Sequence, residues 1–298
     1  MSFLSKLNAL DLYLSGLPWL FRHFFQKKKV TILMFHHPSP EYFDKAVSAL
    51  KKRYNIISFS RFMDSDTSEK QSLPSYPLII TLDDGWASNY ALLPVLEKHQ
   101  VPVTIFLMAG MADTHRHPWF SEVTNQQKKQ ELKRVSNTAR VNTLTRMGFT
   151  ETKEFEDRVV LSREEIHHMQ ASGLVEFGSH TLFHPILPHC NDNTATEEIQ
   201  LSKKKTEELT GKPCRFFSFP NGDYCERDIR LCKKAGYEAA VTLDVGYNSR
   251  NDDPFRLKRI SVPDEATISE LLVKASGFWA FFKVLLRKQK RSRRHSGL

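Results

Sequence analysis

From Val30 onward, short unbroken apolar runs alternate with longer stretches whose apolar positions recur at helical spacing. The runs "VTILMF" (30–35), "YPLIITL" (76–82), "VPVTIFLMA" (101–109), "LVEFGSH" (174–180), "CRFFSFP" (214–220) and "YEAAVTL" (237–243) read as buried strands, with "FRLKRISV" (255–262) as the last. Between them, residues 41–54, 87–100, 194–211 and 226–236 read as helices. Apolar runs separated in this way predict parallel strands covered on their outer faces by helices. The stretch "LSREEIHHMQASG" adds a helix with marked ends: Ser162 and Glu165 form a Ser-x-x-Glu capping box, and Gly173 stops it. Residues 113–160 break the pattern, being polar with no obvious apolar period, and predict one or two helices inserted over the fold. The expected organisation is one α/β domain over 30–277, a basic and aromatic helical segment at 1–29, and an amphipathic helix with a basic tail at 278–298.

Composition changes this picture only at the ends. The 298 residues are 40% hydrophobic and 26% charged, as in an ordinary soluble globular protein. The net charge of +9 suggests nucleic acid until it is located: residues 1–29 carry +4 and residues 278–298 carry +7, which leaves −2 for the body. With no recognition motif beside that charge, nucleic acid is not the expected partner. Phe278, Phe281, Phe282 and Leu285 fall at i, i+3, i+4 and i+7 ahead of the basic cluster. This predicts a helix lying on an anionic membrane surface, the competing expectation being a helix packed on the domain with a solvated tail. The apolar stretch 7–25 is broken by Asp11, Pro18, Arg22 and His23 and lacks a small-residue cleavage site, so neither a transmembrane helix nor a signal peptide is expected. Cys190, Cys214, Cys225 and Cys232 have no metal-binding spacing and read as reduced thiols. The expected location is cytoplasmic, peripheral on the inner membrane face.

Four chemically loaded stretches directly follow predicted strands: His36-His37, Asp83-Asp84, the run from His180 to His184, and Pro220-Asn221-Gly222-Asp223-Tyr224. In parallel α/β folds the carboxyl ends of the strands share one face, so placement alone predicts that they converge. Taken singly, each has a plainer reading. Asp-Asp-Gly makes an ordinary turn, and loop histidines are by default solvated. Taken together, one Asp and two His make a three-ligand nitrogen and oxygen site with positions left open, the arrangement of catalytic zinc and similar ions. The second Asp then stands beside the ion without binding it, where a general base for water belongs.

At these residues the chain resembles the NodB-homology polysaccharide deacetylases, carbohydrate esterase family 4. "TLDDGW" is similar to the family's first motif, "HTLFHP" to its second, and "FSFPNGDY" to the third motif of the branch that writes it Phe-Ala-Tyr-Pro-x-Gly. The match runs from about Val30 to Val262. The resemblance implies a distorted (β/α) barrel of about seven parallel strands and hydrolysis of an N-acetyl group on an amino sugar. By position it makes Asp83 the base and Asp84, His180 and His184 the ligands of a divalent metal, zinc first, with cobalt, nickel or manganese as alternatives. Pro220, Asn221, Gly222 and Tyr224 would form the oxyanion and substrate-binding turn, with a backbone N–H near Asn221 as donor. Within the branch carrying an early Tyr-His motif, His36 would be the acid, His37 being the alternative. The sequence departs from the family where an Arg orients the base: that position is Ser218, and Arg259 or Arg256 near the last strand is expected to supply the charge instead. The implied substrate is a poly-, oligo-, lipid-linked or nucleotide-linked N-acetylhexosamine. Removal of formyl or O-acetyl groups by the same chemistry, or a barrel that binds carbohydrate without reacting, are the competing functions.

Overall fold

The computed structural model of the chain describes residues 8–65 and 72–281. Its centre is a wholly parallel sheet of β1 (Thr31–Phe35), β2 (Asn55–Ile56), β3 (Pro77–Leu82), β4 (Val103–Leu107), β5 (Val175–Ser179), β6 (Phe216–Ser218), β7 (Ala239–Val241) and β8 (Ile260–Ser261). Seven strands run in the order β7-β6-β5-β4-β3-β1-β8, and the two-residue β2 adds to β3. Each helix is named in chain order: α1 (Ala9–Leu14), α2 (Leu17–Phe25), α3 (Pro40–Lys51), α4 (Phe59–Asp64), α5 (Leu93–His99) and α6 (Trp119–Glu122). The remainder are α7 (Gln126–Leu132), α8 (Asn137–Arg146), α9 (Arg163–Ala171), α10 (Asp192–Thr210), α11 (Glu226–Ala235) and α12 (Ile268–Ala275).

The sheet curls until its ends meet. Leu257 bridges Val241 of β7 through Leu257 N–H to Ala240 O and Thr242 N–H to Leu257 O, and three residues later Ile260 pairs with Leu33 of β1. The segment 257–261 is therefore the seam that closes a distorted barrel. Strand parity then sorts the side chains, because successive residues point to opposite faces. Leu33, Phe35, Ile80, Leu82, Ile105 and Phe177 point outward and join one cluster with α3, α5, α9 and α12. Ile32, Ile79, Phe106, Phe216, Val241 and Leu257 point inward and fill the barrel. Gly178 shares that interior: a Cβ there would lie 2.6 Å from the Phe106 ring, so no larger residue fits. The inward parity continues past the strand ends to His36, Asp83 and His180 and includes Arg259 just before β8, and this is what aims them at one point.

Several elements differ from the sequence-based expectation. The stretch 87–100 begins as a 3-10 turn (Ala87–Leu92), and the α-helix starts only at Leu93, because Pro94 has no N–H to donate to a preceding turn. The last strand contracts to Ile260–Ser261, since Pro254 starts a tight turn ahead of it. β2, α4 and α12 lay below what the pattern signalled. The insertion contains α6, α7 and α8, with Trp119, Val123, Leu132, Leu144 and Phe149 as its own small core. Among the described residues, no helix is long and apolar enough to cross a membrane.

Candidate metal and catalytic centre

The turn after β3 starts the site. Asp84 and Gly85 both take left-handed backbone conformations (φ 73° and 68°), which swings Asp84 out of line with the strand while Asp83 keeps the inward direction of Ile79. Gly85 is required there, since a Cβ would lie 2.6 Å from Leu107 Cδ2. After β5, Thr181 and His184 are also left-handed (φ 66° and 56°). Such conformations each cost of order 1 kcal/mol or more in a residue with a side chain and persist only when neighbours hold them. Here the neighbours do. The Thr181 hydroxyl accepts from His184 N–H at 3.0 Å, and Glu198 Oε2 on α10 accepts from Leu182 and Phe183 N–H at 2.8 and 3.1 Å. His180 N–H donates to Leu107 O at 2.7 Å, and Trp119 of the insertion donates its indole N–H to His184 O at 3.1 Å.

These turns bring Asp84 Oδ1 to 3.6 Å from both His180 Nε2 and His184 Nε2. The gap is too long for hydrogen bonds, but two ligand atoms about 2.1 Å from one ion at a tetrahedral angle stand about 3.4 Å apart. The donor chemistry agrees. His180 Nδ1 donates to Ser218 O at 2.7 Å, which leaves its Nε2 lone pair facing the centre. Asp84 Oδ2 accepts from the Trp86 indole N–H at 3.0 Å, which leaves Oδ1 available. Burial pushes the Asp84 carboxyl above its usual range, with His180, His36 and the Trp86 bond only partly opposing it, so the pocket is short of positive charge. Burial, then His180, holds the His184 imidazole well below its ordinary value, which keeps it a neutral donor. These three are the group among the described residues whose ligand atoms could share one ion, and they fit a divalent cation of the zinc type.

Asp83 is handled differently. The Arg259 guanidinium grips it bidentately, Nη1 to Oδ1 at 2.7 Å and Nη2 to Oδ2 at 2.8 Å, with both side chains buried. Burial alone would raise the Asp83 carboxyl, but Arg259, then His180, outweigh it and hold the group well below the usual carboxylate range. Ser218 Oγ, at the position where the resemblance led to the expectation of an Arg, lies 3.2 Å from Asp83 Oδ2 and 3.0 Å from Arg259 Nη2. The small residue leaves the space that the seam arginine occupies. Arg259 is fixed in turn by Nε donating to Thr242 O at 3.0 Å. Arg256 is not part of this arrangement, because it sits at the rim, paired with Glu226 and Asp253.

A cleft of about 390 Å³ opens over the centre, with His36, His37, Asn221 and Gly222 in its walls. His36 is half-buried, with its backbone N–H on Asp264 Oδ1 at 2.9 Å and its carbonyl accepting from Asn89 Nδ2 at 2.8 Å. His37 is exposed and lies edge-on to Trp86. Asn221 is left-handed (φ 58°), and Pro220 is buried beneath it. Tyr224 sits to one side of the centre. It stacks on Phe219, donates its hydroxyl to Asp244 Oδ2 at 2.6 Å, and lines an adjoining recess rather than the cleft itself. Trp86, Phe120, Lys129 and Lys133, none of them expected from the sequence, also line the cleft, and Glu198 and Asp264 hold its loops. The "DDGW" motif contained a signal for Trp86; the others come from the insertion, from a helix (Glu198) or from a plain turn (Asp264), where spacing carries no chemical mark.

Comparison with known proteins agrees with this geometry. The sequence profile described as polysaccharide deacetylase matches residues 70–240. A protein of Bacillus subtilis (strain 168) named "Putative polysaccharide deacetylase YxkH" is 25% identical over 186 residues, 62% of this chain and 51% of its own length, so the chain spans about half of that relative. Among solved structures, the Streptococcus pyogenes deacetylase PplD in complex with acetate superposes with a TM-score of 0.62 at 19% identity, over 84% of this chain and 99% of that one. IcaB from Ammonifex degensii gives a TM-score of 0.63 at 19% identity, over 84% and 98%. At these identities the structures show the shared fold.

The Asp83–Arg259 pair yields a pH-dependent expectation. A carboxylate depressed in the folded state adds stability above its unfolded value near 4, and that stability is lost only as pH falls through the folded value. In Arg259→Gln the uncompensated carboxylate is raised instead, so stability falls as pH rises. Urea unfolding should show the variant weaker by about 3–5 kcal/mol at pH 8, with the deficit shrinking toward pH 5. Equal stability of the two proteins at pH 8 would contradict the pairing.

Proposed function

The chain belongs to the polysaccharide deacetylase family, and from that premise we propose that it hydrolyses the N-acetyl group of an amino sugar. A divalent ion, zinc first among the candidates, would be held by Asp84, His180 and His184. The observation that carries this reading is the pairing in one cleft of a three-ligand centre with a second, Arg-held carboxylate that does not join it. When bound, the ion supplies Lewis-acid polarisation of the amide carbonyl and renders a water acidic near neutral pH. Asp83 takes the proton from the attacking water; it is the general base because Arg259 keeps it ionised and aimed into the cleft. The developing oxyanion receives a hydrogen bond from the Asn221 backbone N–H. His36, across the cleft, donates the proton that lets the amine leave. Trp86 and Phe120 give the cleft apolar walls suited to an acetyl methyl group and a sugar face.

Acetate release from a panel of N-acetylated, O-acetylated and N-formylated sugars tests the reading. Wild type should favour the N-acetyl compounds, and Asp83→Asn should lower kcat by about 10²–10⁴ while remaining folded. Faster turnover of the formyl or O-acetyl compounds would replace the substrate bond while keeping the mechanism. No turnover of any would leave the non-catalytic carbohydrate-binding barrel.

We also propose that the protein attaches peripherally to an anionic membrane surface on the cytoplasmic side. Four free cysteines suit a reducing compartment. The described end of the chain supports the attachment. Leu14, Trp19 and Phe24 are 71%, 61% and 73% exposed on α1 and α2, next to Lys27, Lys28 and Lys29. Phe21 of α2 packs on Phe278 and Phe281 at ring distances of 5.7 and 5.1 Å, so the described chain ends beside this apolar face. Phe282, Leu285 and the tail's basic cluster lie outside the described residues. An aromatic face flanked by lysines is the chemistry of an interfacial helix, each basic residue near the surface adding about 1 kcal/mol. Intact protein should sediment with phosphatidylglycerol vesicles at low salt and less at high salt. Removal of residues 282–298, or Trp19→Ser with Phe24→Ser, should weaken it. Identical sedimentation of all forms would refute the attachment.

A further inference from the structure

Two lysines in the cleft have no task in the reaction just described. Lys129 on α7 and Lys133, which caps it, lie four residues apart on the face of the insertion that lines the cleft, together with Asp84, His180 and His184. Like charges at this spacing repel by a few tenths of a kcal/mol in isolation, so the pairing costs stability unless something negative lies between them. Their neighbour Lys128 has a carboxylate partner, Glu131 at 3.3 Å. Neither cleft lysine has one within ion-pair distance among the described residues. Lys133 Nζ donates to the neutral Asn221 Oδ1 at 2.7 Å, and Lys129 has no side-chain partner. Both are half-buried, and burial, with Lys129 adding to it, pulls the Lys133 ammonium below its usual value although Asp223 and Asp84 pull the other way.

The carboxylates around them are already engaged. Asp83 is held by Arg259, Asp264 accepts the His36 N–H, and Asp223 accepts from Asn221 Nδ2 at 2.5 Å. Past Lys133 and Asn221 the cleft continues into a recess of about 470 Å³, whose wall adds Arg134 and His189. A neutral oligosaccharide gives two adjacent ammonium groups nothing to pair with. A phosphate does, offering several oxygens to point-charge donors without demanding the planar fork of an arginine.

We propose that Lys129 and Lys133 form an anion subsite beside the catalytic centre, and that the substrate is an N-acetylhexosamine carrying a phosphate ester next to the reacting sugar. This rests on the deacetylase reading for its substrate but not for its binding. The phosphate is that of a soluble nucleotide diphosphate sugar or of a prenyl-diphosphate-linked sugar. The shared chemistry is the same, and turnover separates the two.

Calorimetry on the metal-loaded protein compares N-acetylhexosamine 1-phosphates with the free N-acetylhexosamines. Wild type should bind the phosphates at least about tenfold tighter, the worth of one charge-assisted contact. Lys129→Gln with Lys133→Gln should bring that preference close to one, and Lys133→Arg should retain most of it. An equal affinity in wild type, or a preference that survives the double glutamine variant, overturns the subsite. Acetate release is then measured on a nucleotide diphosphate sugar, a prenyl diphosphate sugar in detergent micelles, and a neutral oligomer. A higher kcat/KM for either phosphate-bearing substrate, reduced relative to the neutral oligomer in the double variant, supports the proposal and names the source. A neutral oligomer turned over with the highest kcat/KM overturns it. If no compound releases acetate while the phosphate preference in binding holds, the deacetylase reading fails and the anion subsite stands.

Discussion

Two adjacent carboxylates, Asp83 and Asp84, lie buried at 3% and 5% exposure at the mouth of an otherwise apolar barrel, and the rest of the site is an answer to that charge. Neighbouring buried anions are unstable unless each has its own positive partner. The fold separates them by backbone geometry: Asp83 follows the strand's inward parity, while the left-handed turn at Asp84 and Gly85 sends its neighbour toward the imidazoles. Asp83 receives a guanidinium. Asp84 receives two imidazoles and an indole N–H, a set that a cation would complete. In the proposed reaction that asymmetry divides the labour: Asp84 would hold the ion, and Asp83, with its permanent partner, would move the proton.

The closing of the barrel is part of the same arrangement. Arg259 lies on the seam segment that bridges β7 and pairs with β1, so the charge that holds Asp83 arrives only when the sheet has closed. Ser218 is the complement of that choice, since a longer side chain there would occupy the space of the guanidinium. The insertion contributes from the other side. Trp119 fixes the His184 carbonyl and Phe120 meets the His184 ring at 4.8 Å, so the polar insertion supports His184 and forms a wall of the cleft.

The strands and the four loaded turns were legible because buried parallel strands leave unbroken apolar runs, and because Asp-Asp-Gly and His-x-x-x-His-Pro are dense in chemistry. Arg259 was legible only as one of two candidates. Strand parity separates them, since 259 shares the inward direction of 257 and 256 does not, but the short β8 gave too little pattern to assign it. Tyr224 lies one step from the cleft: stacking on Phe219 turns it toward the adjoining recess, which a turn's sequence alone does not foretell. Glu198 and Asp264 were illegible. One sits in a charged amphipathic helix and the other in a plain turn, and only tertiary folding places them against the loops they hold.

The division between Asp83 and Asp84 is measured directly by metal content. Protein loaded with zinc and dialysed should retain about one ion per chain. Asp83→Asn, which alters only the neighbouring carboxylate, should retain the same amount, and Asp84→Asn should retain almost none. Loss of the ion from Asp83→Asn with retention in Asp84→Asn would reverse the two roles, and an absence of bound metal in the wild-type chain would contradict the account altogether.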